Sequence, residues 1–362
     1  MKVLLCTIID NVNYGTYLQA YATVRLLEGR GCDVTVLNYI RPHLNHKRQL
    51  AVARKRGLKN LIKTTGLVLL DKYMKHNLKR FLESKAHLTE EFTDWIEFRK
   101  TLPEYDLYLV GSDQVWNTVH NFGVDEVFFF GGVEGVKRSF AASIGIDSFK
   151  EEDHALLRSY LKDFSFLSVR ESFGQEALLK LGFTDVSHVL DPTLLLTGDE
   201  WKAICSSKWK KTEPFLLVYS VEAGRDNETL AIAKHIASQK DLKVYVVSPY
   251  LKFRSKLDVD KVFSLADTDL FLSLFSQADY AVVSSFHGTA FAINFNCQFV
   301  TVSPERFNSR VKSLLQLLNL DERYLHGMGD IPEKEIDYQK VNSMLNLKRS
   351  ESILILDKVI EK

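Results

Sequence analysis

Four polar stretches in this chain carry residue types that do chemistry, and each follows a short apolar run. In the first, Asp10, Asn11, Asn13, Tyr14, Gly15 and Thr16 lead into a helical pattern. Free backbone N–H groups there can hold an anion or a sugar, and a simple glycine-containing turn reads equally well. In the second, Val110-Gly111-Ser112-Asp113-Gln114-Val115-Trp116-Asn117, small residues and a carboxylate close a strand. Asp113 is placed to take a proton from an attacking hydroxyl, or to satisfy nearby backbone as an Asx-turn. Trp116 offers a ring for a sugar to stack on. In the third, Arg170 stands where the strand of Leu167-Ser168-Val169 meets a helix start at Glu171-Ser172. A guanidinium there suits bidentate binding of phosphate or carboxylate, with an ion pair to Glu171 as the alternative. Ser172 and Gln175 read as a capping box for that helix. The fourth is Val282-Val283-Ser284-Ser285-Phe286-His287-Gly288-Thr289. His287 at a helix start is suited to donate to an anion or to act as acid or base near neutral pH. Gly288 lets a ligand approach the backbone. Arg310, in Phe307-Asn308-Ser309-Arg310-Val311, is a second anion ligand or a surface charge.

Loops of this kind need strands and helices to aim them. Short apolar runs alternate with helical patterns along the chain, which is the signature of βα units and parallel sheets. Strands are expected over 3–9, 34–39, 107–110, 138–143 and 167–169, with a helix over 173–181. A second series has strands over 215–220, 244–247, 280–283 and 299–302, and helices over 227–239, 269–277, 288–294 and 308–318. Asp191-Pro192-Thr193 and the polar stretch around Ser206–Glu213 flank the boundary between the two. The expected architecture is α/β, two Rossmann-like domains with an interdomain cleft. Residues 1–192 form the first domain, with a basic insertion at about 44–100, and 193–335 the second. A terminal segment, 336–362, carries a helix over 351–360 that returns to the first domain. Ligands in such folds bind beyond the carboxyl ends of the strands, where the polar stretches lie. Neither GxGxxG nor GxxxxGK[ST] occurs, so an ordinary dinucleotide or P-loop site is not indicated.

Composition excludes several classes. The chain has 362 residues, 46% hydrophobic and 26% charged, which is globular rather than disordered or collagenous. Net charge is +1, without the basic excess of a nucleic-acid binder. Cys6, Cys32, Cys205 and Cys297 are scattered, which argues against a zinc site or disulfide framework and for a reducing compartment. The apolar N-terminus is interrupted by Asp10-Asn11-Val12-Asn13 before it reads as a signal peptide, and no run is as long as a membrane span. A cytoplasmic location is expected. One segment departs from this balance: Lys47, Arg48, Arg54, Lys55, Arg56, Lys59 and Lys63 occur with no acid among them. It suits anionic lipid headgroups or a diphosphate, or is a solvated helical insertion.

Six motifs together resemble the polysaccharide pyruvyl transferase family. They are Asn13-Tyr14-Gly15 with Gln19-Ala20-Tyr21, the Val110 to Asn117 stretch, Ser168-Val169-Arg170-Glu171, Leu190-Asp191-Pro192-Thr193, Ser284-Ser285-Phe286-His287-Gly288 and Asn308-Ser309-Arg310. The resemblance runs from about residue 2 to 323. It implies a glycosyltransferase type B-like fold and transfer of the enolpyruvyl group of phosphoenolpyruvate onto two sugar hydroxyls as a ketal. The implied acceptor is a polysaccharide repeat unit, often carried on a lipid diphosphate. Phosphoenolpyruvate is then a co-substrate, and no step calls for a metal or nicotinamide cofactor. In that frame Arg170, Ser285, Gly288 and Arg310 fall on the donor side, and Asn13, Tyr14, Gly15 and Trp116 on the acceptor side. His287, as an imidazolium whose pKa a nearby anion raises, and Asp113 are the catalytic pair. A nucleotide-sugar glycosyltransferase and a non-catalytic sugar-binding assembly protein are the alternatives the same residues allow.

Overall fold

A computed structural model of the chain describes residues 1–221, 226–250, 257–302 and 309–361. Seven strands make the first sheet: β1 (Lys2–Cys6), β2 (Asp33–Val36), β3 (His87–Leu88), β4 (Leu107–Val110), β5 (Lys137–Ser139), β6 (Phe164–Val169) and β7 (Val186–His188). Their order is β3-β2-β1-β4-β5-β6-β7. The second sheet holds β8 (Phe215–Tyr219), β9 (Lys243–Ser248), β10 (Lys261–Ser264), β11 (Tyr280–Val283), β12 (Gln298–Val302) and β13 (Tyr324–Leu325), ordered β10-β9-β8-β11-β12-β13. All the ladders between these strands are parallel. Every residue of β4, β8 and β11 is buried, as expected where helices cover both faces of a parallel sheet.

Strand order reverses between β1 and β4 in one sheet, and between β8 and β11 in the other. Such switch points leave a crevice at the carboxyl ends of the strands. The helix Tyr14–Glu28, which follows β1, is buried on nearly every side, including Tyr14, Gly15, Tyr17, Ala20 and Ala22. One apolar cluster joins its Tyr17, Leu18 and Tyr21 to Trp201, Phe271 and Phe291 of the second half. The terminal helix Tyr338–Ile360 returns to the first domain. There Arg30 Nε meets Asp357 Oδ1 at 2.5 Å, and Arg138 Nη1 donates to the carbonyls of Val359 and Glu361 at 2.7 Å each. No described helix is long and apolar enough to cross a membrane.

The expected elements are present, with shifted ends. The strand expected over 138–143 stops at Ser139, because Ala141 adopts φ +58° and breaks the ladder. Strands β3, β7, β10 and β13 are only two to four residues long, too short to signal themselves in sequence. The terminal helix begins at Tyr338 rather than 351. Asn308, expected to open the helix now seen as Ser309–Leu317, lies outside the described residues.

Candidate active site

The carboxyl ends of β1, β4 and β11 surround a cavity of about 290 Å³ lined by Asn11, Asn13, Thr16, Asp113, Ser285, His287 and Arg310, among others. Three helices, Tyr14–Glu28, Phe286–Asn294 and Ser309–Leu317, begin at its wall. Their positive dipole ends converge on one space, which favours an anion there. Asn13 Oδ1 caps the first helix through Gly15 N at 2.9 Å, and Ser285 Oγ caps the second through Gly288 N at 3.1 Å.

Beside the cavity lies a buried ionic network. Arg170 Nη1 donates to Asp191 Oδ2 at 2.5 Å and to Ser112 Oγ at 3.0 Å, and Nε donates to Glu171 Oε1 at 3.2 Å. Its Nη2 stands 3.9 Å from Asp113 Oδ1, and the guanidinium lies 4.5 Å above the Phe286 ring. Asp191 also accepts from Thr193 Oγ1 at 2.6 Å and from Ser112 Oγ at 2.7 Å. Ser143 Oγ donates to Glu171. Asp113 accepts from Thr16 Oγ1 at 2.9 Å while its own backbone sits at φ +68°, a strained conformation of the kind that functional sites hold. Among the described residues, Arg170 Nη2, His287 Nε2 and Arg310 Nε are buried nitrogens without a hydrogen-bond partner. Buried polar groups are rarely left so; Arg323 Nε, away from this site, is another, and at the cavity wall His287 and Arg310 are the two positioned to meet a ligand.

Electrostatics sharpen the picture. Burial pushes His287 down to about 4, with Arg170 and Arg310 adding to the effect and Asp191, 3.9 Å away, opposing it. The imidazole of the protein by itself is therefore held neutral, and the raised value expected from sequence concerns the site with a donor anion beside it. Burial, and then Arg170, push Arg310 down to about 10. Although burial alone works the other way, Arg170 and then His287 hold Asp191 down at about 2 and Asp113 below its ordinary value. Asp113, Glu171 and Asp191 against Arg170 and Arg310 leave one excess negative charge. Protonating His287 is the way this site gains a further positive charge.

Several expected ligands turn out to be packing residues. The Tyr14 hydroxyl donates to Ala266 O at 2.9 Å, and its ring stacks on Phe271 at 4.2 Å, inside the domain interface. Trp116 is 1% exposed, donates to Phe128 O and stacks on Phe129, so it offers no ring to a sugar. Gly288 faces Tyr219 and Val283, which a Cβ would meet at 3.0 Å, and its smallness serves helix packing. Gly15 lies under His287: a Cβ there would come within 2.0 Å of the ring. Asp10 is taken up by Arg41, which donates to it at 2.7 Å. The capping box is absent, since Glu171 is the N-cap and Ser172 Oγ instead meets Ser313 Oγ at 3.2 Å. Arg170 takes its alternative reading, the ion pair with Glu171; with Nε and Nη1 committed to Glu171, Asp191 and Ser112, the fork is not open for bidentate binding of an anion.

Asp191 is the site residue that sequence reasoning passed over as a boundary marker. Its signal was present: an Asp directly before a helix-opening Pro192 is an N-cap, and β7 delivers that cap to the site. His120 also lines the cavity, burial pushing it down to about 4, and nothing in its sequence surroundings marks it. Among the described residues, no group of three or more His, Cys, Asp or Glu is arranged to hold a metal ion.

Two parallel-sheet α/β domains that share one cleft define a glycosyltransferase B-like fold. Solved structures agree. The UDP-GlcNAc 2-epimerase of Neisseria meningitidis superposes with a TM-score of 0.50 at 10% identity, covering 99% of each chain. MnaA of S. aureus, solved with UDP, gives 0.52 at 12% identity over 97% of this chain and 90% of that one. At such identities the likeness concerns the fold alone. No curated protein sequence is significantly similar to this chain. The chain belongs to the polysaccharide pyruvyl transferase family, whose model matches residues 13–306. It is thus a member of a transferase family, with Asp113, Arg170, Asp191 and His287 inside the matched span and Arg310 just beyond it.

Proposed function

We propose that this protein transfers the enolpyruvyl group of phosphoenolpyruvate to a sugar of a polysaccharide repeat unit, closing a pyruvate ketal. The supporting observation is the convergence of two unpartnered buried nitrogens, His287 Nε2 and Arg310 Nε, and three helix N-termini on one cavity, with Arg170 Nη2 buried behind Asp113. A small ligand with both a phosphate and a carboxylate satisfies both nitrogens. Arg310 takes the donor's anionic groups, and the Arg170 charge buried behind Asp113 adds to the field that favours them. A dianionic phosphate beside His287 offsets the burial that keeps it neutral, so donor binding draws a proton onto the imidazole.

The chemistry then follows. His287 gives that proton to the methylene carbon, leaving an oxocarbenium-like centre at C2. A sugar hydroxyl attacks C2, its proton passing to Asp113, which Arg170 and Thr16 hold ionised and in place. The C2–O bond to phosphate breaks, and a second hydroxyl closes the ketal. Of the two hydroxyl protons, one ends on the new methyl group through His287 and the other on the released phosphate. Asn11, Asn13, Gln114 and His120 supply the polar wall for the sugar.

The test is a donor panel read by melting temperature, followed by phosphate release in the presence of a pyruvylatable acceptor. Phosphoenolpyruvate is expected to stabilise the protein and UDP-sugars are not. Stabilisation by a UDP-sugar alone would overturn the proposal in favour of glycosyl transfer.

A further inference from the structure

The site leaves unused the most unbalanced stretch of the chain. Between residues 46 and 80 stand eleven Lys and Arg and one acid, Asp71, while the whole chain nets +1. The remainder is therefore net acidic. This stretch folds as a helical hairpin, His46–Lys55 followed by Leu58–Glu83. The far half of the long helix is anchored: Met74, Leu78, Phe81 and Leu82 join the core. The near half stands away from it.

On that helix Leu58, Ile62, Leu69 and Tyr73 are 72%, 66%, 63% and 52% exposed, and Leu67, 57% exposed, stands apart from them on the opposite side. At 3.6 residues per turn these four positions fall within about 60° of one face. Exposed aliphatic residues scattered singly need no explanation, but a stripe of four along one helix does. Lys59 and Lys63 lie along one edge of the stripe and Lys72 along the other, with Lys55 at the end of the preceding helix; Lys55, Lys59 and Lys63 form no ion pair with an acid among the described residues. An apolar stripe edged by lysines is the pattern of a helix that lies in a bilayer interface.

Placement adds to composition. The chain reaches the hairpin from the carboxyl end of β2, through the turn Pro42–Leu44, so it springs from the same edge of the sheet as the cavity loops. The long helix also touches the second domain, with Asn77 Nδ2 donating to Leu265 O at 3.2 Å. A surface under the hairpin therefore lies at the edge where the cleft opens.

We infer that this hairpin docks the protein onto an anionic lipid bilayer, its apolar stripe inserted at headgroup depth and its lysines on the lipid phosphates. A second copy of the chain fits less well, since a symmetric pairing of hairpins would bring together two sets of eleven cations. Nucleic acid has no use for a stripe of leucine and isoleucine. Docking does not depend on which donor the cavity takes, so its test uses no turnover.

The experiment is co-sedimentation of the full chain with vesicles of phosphatidylcholine containing phosphatidylglycerol, and with phosphatidylcholine alone. Wild type is expected to pellet with the anionic vesicles and to be released by salt. The Lys55→Gln/Lys59→Gln/Lys63→Gln variant should bind about 100-fold more weakly, at about fivefold per cation. The Leu58→Ser/Ile62→Ser/Leu69→Ser variant should bind roughly tenfold more weakly or worse. All six positions are solvent-exposed, so melting temperatures should stay at the wild-type value. Wild type remaining in the supernatant, or binding both vesicle types equally, would overturn the inference. So would a serine variant that turns a dimer into a monomer while vesicle binding persists.

Discussion

Gly15→Ala tests whether the two domains are held at the spacing the cavity requires. A Cβ on residue 15 would sit 2.0 Å from Cγ and Nδ1 of His287 and 2.6 Å from its Cβ, where ordinary contacts are 3.4–4 Å. Relief requires a movement of at least about 1.4 Å by the His287 ring or the helix Tyr14–Glu28, and a misplacement of that order costs about 10²-fold in rate. Neither yields easily, since His287 is 4% exposed and the helix is buried on nearly every side. Overpacking a core position costs about 1–3 kcal/mol. Against this, Ala is favoured over Gly inside a helix by roughly 1 kcal/mol, so melting falls modestly while phosphoenolpyruvate binding falls steeply. The assay is a double-mutant cycle with His287→Gly, reading melting temperature and calorimetric affinity. With the ring and its Cβ gone, Gly15→Ala should become neutral or stabilising, a coupling well above that of independent sites. If Gly15→Ala binds donor as wild type does and melts at the same temperature, the reasoning fails.

Other outcomes follow from the same geometry. Arg170→Lys breaks a buried network of three acids, so we expect about 3–5 kcal/mol of lost stability by chemical denaturation rather than a pure binding defect; an unchanged midpoint would contradict this. Arg310→Gln should leave stability unchanged or raised, by removing repulsion from Arg170, while weakening phosphoenolpyruvate by about 1.5–3 kcal/mol in titration calorimetry. His287→Gln should lower kcat by about 10²–10⁴ with little change in KM, and a change in KM alone would reduce His287 to a binding role. His287 also leaves a pH signature. The unfolded chain takes up its proton near 6.5 but the folded chain only near about 4, so its contribution is complete above pH 6.5 and is lost as pH falls toward 4. Between pH 7 and 5 wild type should lose about 2 kcal/mol more stability than His287→Gln, checked by urea unfolding at both values. Equal losses would mean the imidazole is not held neutral.

What the sequence by itself determined is the fold class and the position of the cleft. Buried parallel strands are short runs of consecutive apolar residues, and 107–110 and 280–283 could be bounded to the residue because that signal is local. Loops at the carboxyl ends of such strands face a crevice in any doubly wound sheet, so the stretches around Asn13, Asp113, Arg170 and His287 were legible as a group. Their individual roles were not. Tyr14 and Trp116 look like ligands until a Phe from elsewhere in the fold covers each ring. Arg170 looks free until Asp191, brought in by β7, neutralises it at 2.5 Å. His287 looks like an imidazolium until the closing domains strip its water, and Gly15 looks like a turn residue until that imidazole packs on it. Likewise the basic run showed its charge in sequence, but not which of its aliphatic residues the core would leave outside. Charge state, burial and partner depend on contacts between distant segments, and the tertiary structure alone decides those.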